Sequence, residues 1–103
     1  MASKEQMIDA IRQGLQARST GHRGGCGRAY VCMLQVDRTV LNAYKAAAQA
    51  CGLRYLRQAY GAGSRAIYVG YDNADGRALA QADAIAEGLK ALGLPAYSDA
   101  ASD

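Results

Sequence analysis

Apolar positions along this chain follow helical spacing in three stretches and strand-like spacing between them. Met7, Ile8, Ile11 and Leu15 recur every three or four residues, which predicts an amphipathic helix over residues 4–18. Ser3 with Gln6 three positions later reads as a capping box at its start, and Gly14 weakens the helix without breaking the stripe. Val40, Tyr44, Ala47 and Cys51 predict a second helix over 38–51, capped by Asp37 and closed by Gly52. Leu79, Ala82, Ile85, Leu89 and Leu92 predict a long third helix, capped by Asp72 or Asn73 and closed by Gly93.

The intervening segments read as strands. Residues 28–36 are apolar on both faces, and 53–60 are apolar but interrupted by Arg54 and Arg57. Gly61-Ala62-Gly63-Ser64 is a hairpin loop, followed by a strand over 65–71 with Ile67, Val69 and Tyr71 expected on one face. Residues 94–98 are expected to form a short edge strand, because Pro95 is tolerated only at an edge. Residues 99–103 are expected to fray. Four glycines between Gly21 and Gly27 mark a loop that separates the first helix from the rest.

A weak internal echo organises these pieces. Val36-Asp37, helix, Cys51-Gly52-Leu53 resembles Tyr71-Asp72, helix, Leu92-Gly93-Leu94. Two such halves joined by a hairpin predict an α+β fold: a ferredoxin-like β-α-β-β-α-β sandwich with a mainly antiparallel four-stranded sheet, preceded by an N-terminal helix. Residues 1–103 are expected to form a single domain, with 1–20 as the N-terminal helix, 21–27 as the glycine-rich loop, 28–98 as the core and 99–103 as the tail. Right-handed crossovers put both core helices on one sheet face. The other face is left for the N-terminal helix, a second copy or a ligand. Which face of the first strand is buried stays open.

Composition changes this picture in one respect. The chain has seven Tyr, no Phe and no Trp. Tyrosine carries a hydroxyl that wants a partner or water, so its rings belong at core margins or on a working surface. Three cysteines, Cys26, Cys32 and Cys51, argue against a disulfide framework and for a reducing, cytoplasmic setting. No apolar leader follows Met1, and the longest apolar run, residues 29–34, is far too short to span a membrane.

Charge is lopsided although the net value is only +3. Nine basic residues and one acid lie between Arg12 and Arg65, whereas six acids and two bases follow from Asp72 onward. Nine of the twelve basic residues are arginine, whose planar fork suits phosphate and carboxylate. The pattern fits either a solvated, dipolar surface or an anionic partner.

Catalytic and metal chemistry find little support. Zinc wants four ligands at short spacings, and here one histidine, His22, and three scattered cysteines offer no C-x-x-C. Cys26 with His22 as base would sit on a glycine-rich loop, a poor platform for fixed geometry. Asp37 and Asp72 are expected at opposite edges of the sheet, where helix capping explains both. Neither glycine-rich loop runs from strand to helix, as phosphate cradles require. The chain therefore reads as a non-enzymatic protein without a cofactor.

Ala29-Tyr30-Val31-Cys32-Met33-Leu34 resembles the first-strand motif of the RNA-recognition motif family, and Tyr68-Val69-Gly70-Tyr71 resembles the end of its third-strand motif. The resemblance covers residues 28–98 and departs from the family at Ser64-Arg65-Ala66. It implies that Tyr30 and Tyr68 stack bases on an open sheet face. The expectation is a binding module for an acidic partner, either single-stranded nucleic acid (RNA or ssDNA) or an acidic protein. Arg23, Arg28, Arg54, Arg57 and Arg65 would contact the anion, with Tyr30 and Tyr68 stacking. The alternative is a protein-interaction or homodimerising domain.

Overall fold

The computed structural model describes residues 2–18, 26–73 and 75–102. The elements run α1 (Lys4–Gly14), β1 (Cys26–Met33), α2 (Arg38–Ala50), β2 (Arg54–Gln58), β3 (Ser64–Asn73), α3 (Arg77–Ala91) and β4 (Ala96–Ser102). The four strands form one sheet in the order β2-β3-β1-β4, and every neighbouring pair is antiparallel. The α+β class and the antiparallel four-stranded sheet are as the sequence predicts. No helix among the described residues is long and apolar enough to cross a membrane.

Local chemistry explains the helix starts. The Ser3 hydroxyl accepts from the Gln6 N–H while the Gln6 side chain accepts from the Ser3 N–H, which completes the capping box. Asp37 accepts from the Val40 N–H at 2.9 Å and opens α2. Helix α3 starts later than expected, at Arg77, behind Gly76 in the left-handed region. Asp72 still caps it, but from a distance. Its buried carboxylate accepts from the Gly76 and Leu79 N–H groups, so the final strand residues reach forward over the turn. Asp72 pairs with Gly27 at the start of β1, while Asp37 follows the end of β1.

All three helices lie on one side of the sheet. Ala29, Val31 and Met33 of β1 and Ile67 of β3 form the floor there, under Tyr44, Ala47 and Ala48 of α2 and Ala82, Ile85 and Leu89 of α3. Helix α1 docks on this side too, and does not cover the other face. It packs against both α2 and α3, which share no comparable contact of their own. Met7 and Ile11 are fully buried in this core. Close approach to α3 depends on Gly14: a Cβ there would lie 2.7 Å from the Ile85 backbone nitrogen and 2.8 Å from its Cα. The residue that costs helix propensity is thus the one that lets two backbones meet.

Three strand details differ from expectation. β1 ends at Met33, and Leu34 is exposed after the strand. β4 runs on to Ser102, so residues 99–102 are not a frayed tail. They pair with β1 through Ser102 opposite Gly27. A bulge lies between the Ala29–Gly70 and Tyr30–Tyr68 pairs. An extra residue in one strand reverses the side-chain alternation beyond it. Ile67 therefore faces the helices, while Tyr71 is turned to the opposite face, across from Arg28, and is 41% exposed.

The tip of the β2–β3 hairpin leaves the plane of the sheet. Pairing of β3 with β1 ends at Ile67–Val31, and Arg65 takes a φ of 48°, a left-handed value unusual for a residue with a side chain. Three contacts hold this kink. The Tyr44 hydroxyl reaches the Val31 carbonyl at 3.0 Å and the Arg65 carbonyl at 3.1 Å, and Arg65 Nε donates to the Met33 carbonyl at 2.8 Å. Beyond the kink, residues 58–64 form an arm, closed by the Gln58–Ser64 pair and a five-residue loop, that bends onto the sheet face without helices.

Candidate functional site

The face away from the helices carries its own small cluster. Tyr30, Cys32, Ala59, Ala66 and Ala101 are buried in it, with Leu56, Ala62, Tyr68 and Tyr97 partly buried around them. Strand register sets the layout. Arg54 of β2 is opposite Tyr68 of β3, Tyr68 is opposite Tyr30 of β1, and Tyr30 is opposite Asp99 of β4. This makes one row across all four strands, from a cation at one edge to a carboxylate at the other. Beside it, Tyr71 is opposite Arg28. The Tyr30 and Tyr68 rings meet with centroids 5.6 Å apart, tilted by 59°.

Four of the seven residues expected in the site are therefore brought together: Arg28, Tyr30, Arg54 and Tyr68. Two others are placed elsewhere, and one is not described. Arg57 lies between Leu56 and Gln58 on β2, so the pleat turns it toward the helix side. Arg65 is tied to the Met33 carbonyl at the kink. Arg23 lies outside the described residues, as do His22 and the side chain of Cys26.

Tyr30 also differs from the expected stacking platform, since it is only 3% exposed. Its ring packs beside that of Tyr68 rather than meeting solvent. The exposed rings are Tyr71 and Tyr60, the latter 86% exposed at the turn of the arm. Sequence reasoning missed both. Tyr71 was hidden by the bulge, for which Gly70 is the only local signal. Tyr60 lies at the turn and not at the end of the 53–60 strand that the sequence predicts, and its place immediately before Gly61 is the local signal for that.

Burial governs the titratable groups of this cluster. It pushes the Cys32 thiol up, opposed by a hydrogen bond from the Gly63 backbone. The Tyr97 hydroxyl is pushed up by burial and by its neighbours Cys32 and Asp99. A protonated, enclosed thiol is a poor nucleophile. The described residues contain no group of three or more His, Cys, Asp or Glu placed to hold a metal ion. Arg28 presents an open demand: its Nε is buried without a hydrogen-bond partner among the described residues.

A hollow of about 390 Å³ lies elsewhere, between the segment after α1 and α3. Its rim carries Asp83 and Glu87 against Arg18, and its floor is Leu79, Ala80 and Ala84. Two carboxylates against one guanidinium suit an anion poorly.

No family model matches this chain, and no curated protein or solved structure matches it.

Proposed function

We propose that this chain is a non-enzymatic binding module that takes an anionic partner, foremost a single-stranded nucleic acid, on the sheet face opposite its helices. The observation that carries this reading is the register of β3 with its neighbours. Each of the two outward rings of β3 stands directly across from an arginine: Tyr68 from Arg54 and Tyr71 from Arg28. Rings offer a stacking surface to any base, and guanidinium groups meet the phosphates between bases. The unpartnered Nε of Arg28 adds a donor that an anion would satisfy. Arg54, Tyr68, Arg28 and Tyr71 are the contact residues in this reading, with Tyr30 packed beside Tyr68.

The strand order β2-β3-β1-β4 supports reading the core as the ferredoxin-like split β-α-β arrangement, because it interleaves the two β-α-β halves. In that arrangement the helix-free face is the natural place for a strand of nucleic acid. The absence of a membrane-spanning helix among the described residues is compatible with a cytoplasmic partner.

Fluorescence anisotropy with labelled mixed-sequence RNA and single-stranded DNA tests the reading. Binding at low ionic strength should weaken as salt rises, with a slope of log K against log salt of about −1.4 for two phosphate contacts. Arg54→Ala should reduce that slope by about 0.7. If no salt-sensitive binding to either probe is seen at low ionic strength, the nucleic-acid reading fails.

A further inference from the structure

The arm is seated on the very face just assigned to the partner. Its base lies over the Cys32–Tyr97 pair, where a Cβ on Gly63 would come within 3.0 Å of the Cys32 sulfur, 3.2 Å of the Cys32 Cβ and into contact with the Tyr97 hydroxyl. Its turn lies over β4 four residues further on, where a Cβ on Gly61 would lie 3.3 Å from that of Ala101. The arm thus passes above the row that contains Tyr30, and it accounts for the burial of that ring.

The arm is hydrogen-bonded mainly to itself. Ala59 N–H donates to the Gly63 carbonyl and Ala62 N–H to the Ala59 carbonyl. The Gln58 side-chain amide donates to the Ala59 and Ala62 carbonyls, and the Ser64 hydroxyl donates back to Gln58. Against the sheet it presents only small residues, Ala59, Gly61, Ala62 and Gly63, and one hydrogen bond from the Gly63 backbone to the Cys32 sulfur. Such a unit can move as a body while its internal bonds stay made, and the arm's own share of the apolar contact comes from small side chains. The kink at Arg65, pinned from the helix side by Tyr44, marks where the moving part begins.

We propose that residues 58–64 form a flap that closes the helix-free face of the unliganded protein and lifts at the Arg65 kink to admit the partner onto Tyr30, Tyr68 and Tyr97. The proposal rests on the binding function stated above and specifies how the site is regulated. Lifting exposes three rings on three adjacent strands, two of which the closed arm covers. The resulting surface offers the stacking platform that Tyr68 and Tyr71 alone provide only in part. Affinity is then reduced by the fraction of molecules whose flap is open, and anything that loosens the flap raises it.

Two measurements test this, and the first needs no ligand. In a Cys26→Ser, Cys51→Ser variant, Cys32 is the single thiol and lies beneath Gly63. Its reaction with an aromatic disulfide reagent is followed in native buffer and in rising denaturant. A flap predicts labelling much faster than global unfolding allows, with little denaturant dependence at the low end. Labelling that tracks global unfolding throughout overturns the flap.

The second measurement locks the arm. Adding Gly63→Cys and Tyr97→Phe to that variant brings two sulfurs into bonding reach and removes the hydroxyl that the new side chain would meet. Binding of a labelled mixed-sequence RNA oligonucleotide is compared between the oxidised and reduced forms. The oxidised form should bind roughly tenfold more weakly, with recovery on reduction. Equal binding by both forms overturns the flap and leaves the binding function intact. Failure of the wild-type protein to bind overturns both.

Discussion

The two sides of this sheet are built from different materials. The helix side is filled by branched and long aliphatic residues, Met7, Ile11, Val31, Ile67, Ile85 and Leu89, set among alanines and one tyrosine, Tyr44, whose hydroxyl is satisfied by two carbonyls, and it is sealed by three helices. The other side holds tyrosines, one cysteine and alanines, and is sealed by a seven-residue arm. The first side can be closed permanently, because aliphatic groups have no use for water. On the second, each tyrosine hydroxyl retains a demand for a polar partner, and no long aliphatic side chain is fully buried. Under the proposed function, stability and recognition fall on opposite faces of one layer. Destabilising substitutions should therefore concentrate on the helix side, and the arm side should tolerate change while altering binding.

The largest effect that would break this contrast lies under α1. Ile11→Ala removes a fully buried side chain and should cost about 3–4 kcal/mol in chemical denaturation. Gly14→Val, which forces α1 off the Ile85 backbone, should cost about 3 kcal/mol. If either variant unfolds at the wild-type midpoint, α1 is not an integral part of the core.

Next in size is the pin between the two sides. Tyr44→Phe leaves the Val31 and Arg65 carbonyls without the hydroxyl and should cost about 2 kcal/mol. The same group sets a pH dependence. Burial raises the ionisation of Tyr44, and also of Cys32 and Tyr97, above the values of the unfolded chain. The unfolded state then releases these protons first, so the native state holds more protons at alkaline pH. Their contribution is complete below the unfolded thiol and tyrosine values, about 8.5 and 10, and is lost as pH climbs through and beyond them. Denaturation midpoints measured from pH 7 to 11 should fall, and Tyr44→Phe should flatten the upper part of that fall. A midpoint that rises with pH would contradict the burial of these groups.

Smaller effects sharpen the comparison from the arm side. Replacing residues 59–63 by Asn-Gly, which closes a tight hairpin, should cost about 1 kcal/mol while markedly increasing the solvent exposure of Tyr30. Tyrosine quenching by iodide or acrylamide would register the exposure. Smallest of all, Arg54→Ala should change stability by less than about 0.5 kcal/mol, since Arg54 is an exposed edge residue. The effect of that substitution belongs in the salt dependence of binding.

The layout of helices was legible because caps and periodicity are local. Ser3 with Gln6, and Asp37 with Val40, meet within one turn, so nothing distant can override them. The strands were legible as segments but not as surfaces. Strand parity depends on a bulge at residue 69 that no side chain in Tyr68-Val69-Gly70-Tyr71 announces, and the misplacement of Tyr71 followed from it. β4 was cut short because Ser98 to Ser102 is small and polar, and its pairing comes from backbone supplied by β1. The candidate site was half legible. Arg28, Tyr30, Arg54 and Tyr68 do share one face, but Arg57 and Arg65 are turned away from it by pleat and kink, and Tyr30 is covered by the arm. The placing of Arg65 and the covering of Tyr30 depend on how the hairpin tip leaves the sheet, a tertiary feature held in place by Tyr44.

The place of α1 has a consequence for how the chain reaches this structure. Residues 4–14 find their seat between α2 and α3, so the earliest helix cannot dock fully until residue 91 is in place. Contacts that join the two extremes of a sequence slow folding, because a long loop must close before they form. Until then the Met7–Ile11 stripe stays uncovered and is a hazard for association with other unfinished chains. Refolding should therefore show α1 protected late, after β1, β3 and α3 have assembled, and truncation within α3 should leave a sticky, incompletely folded product rather than a smaller stable domain.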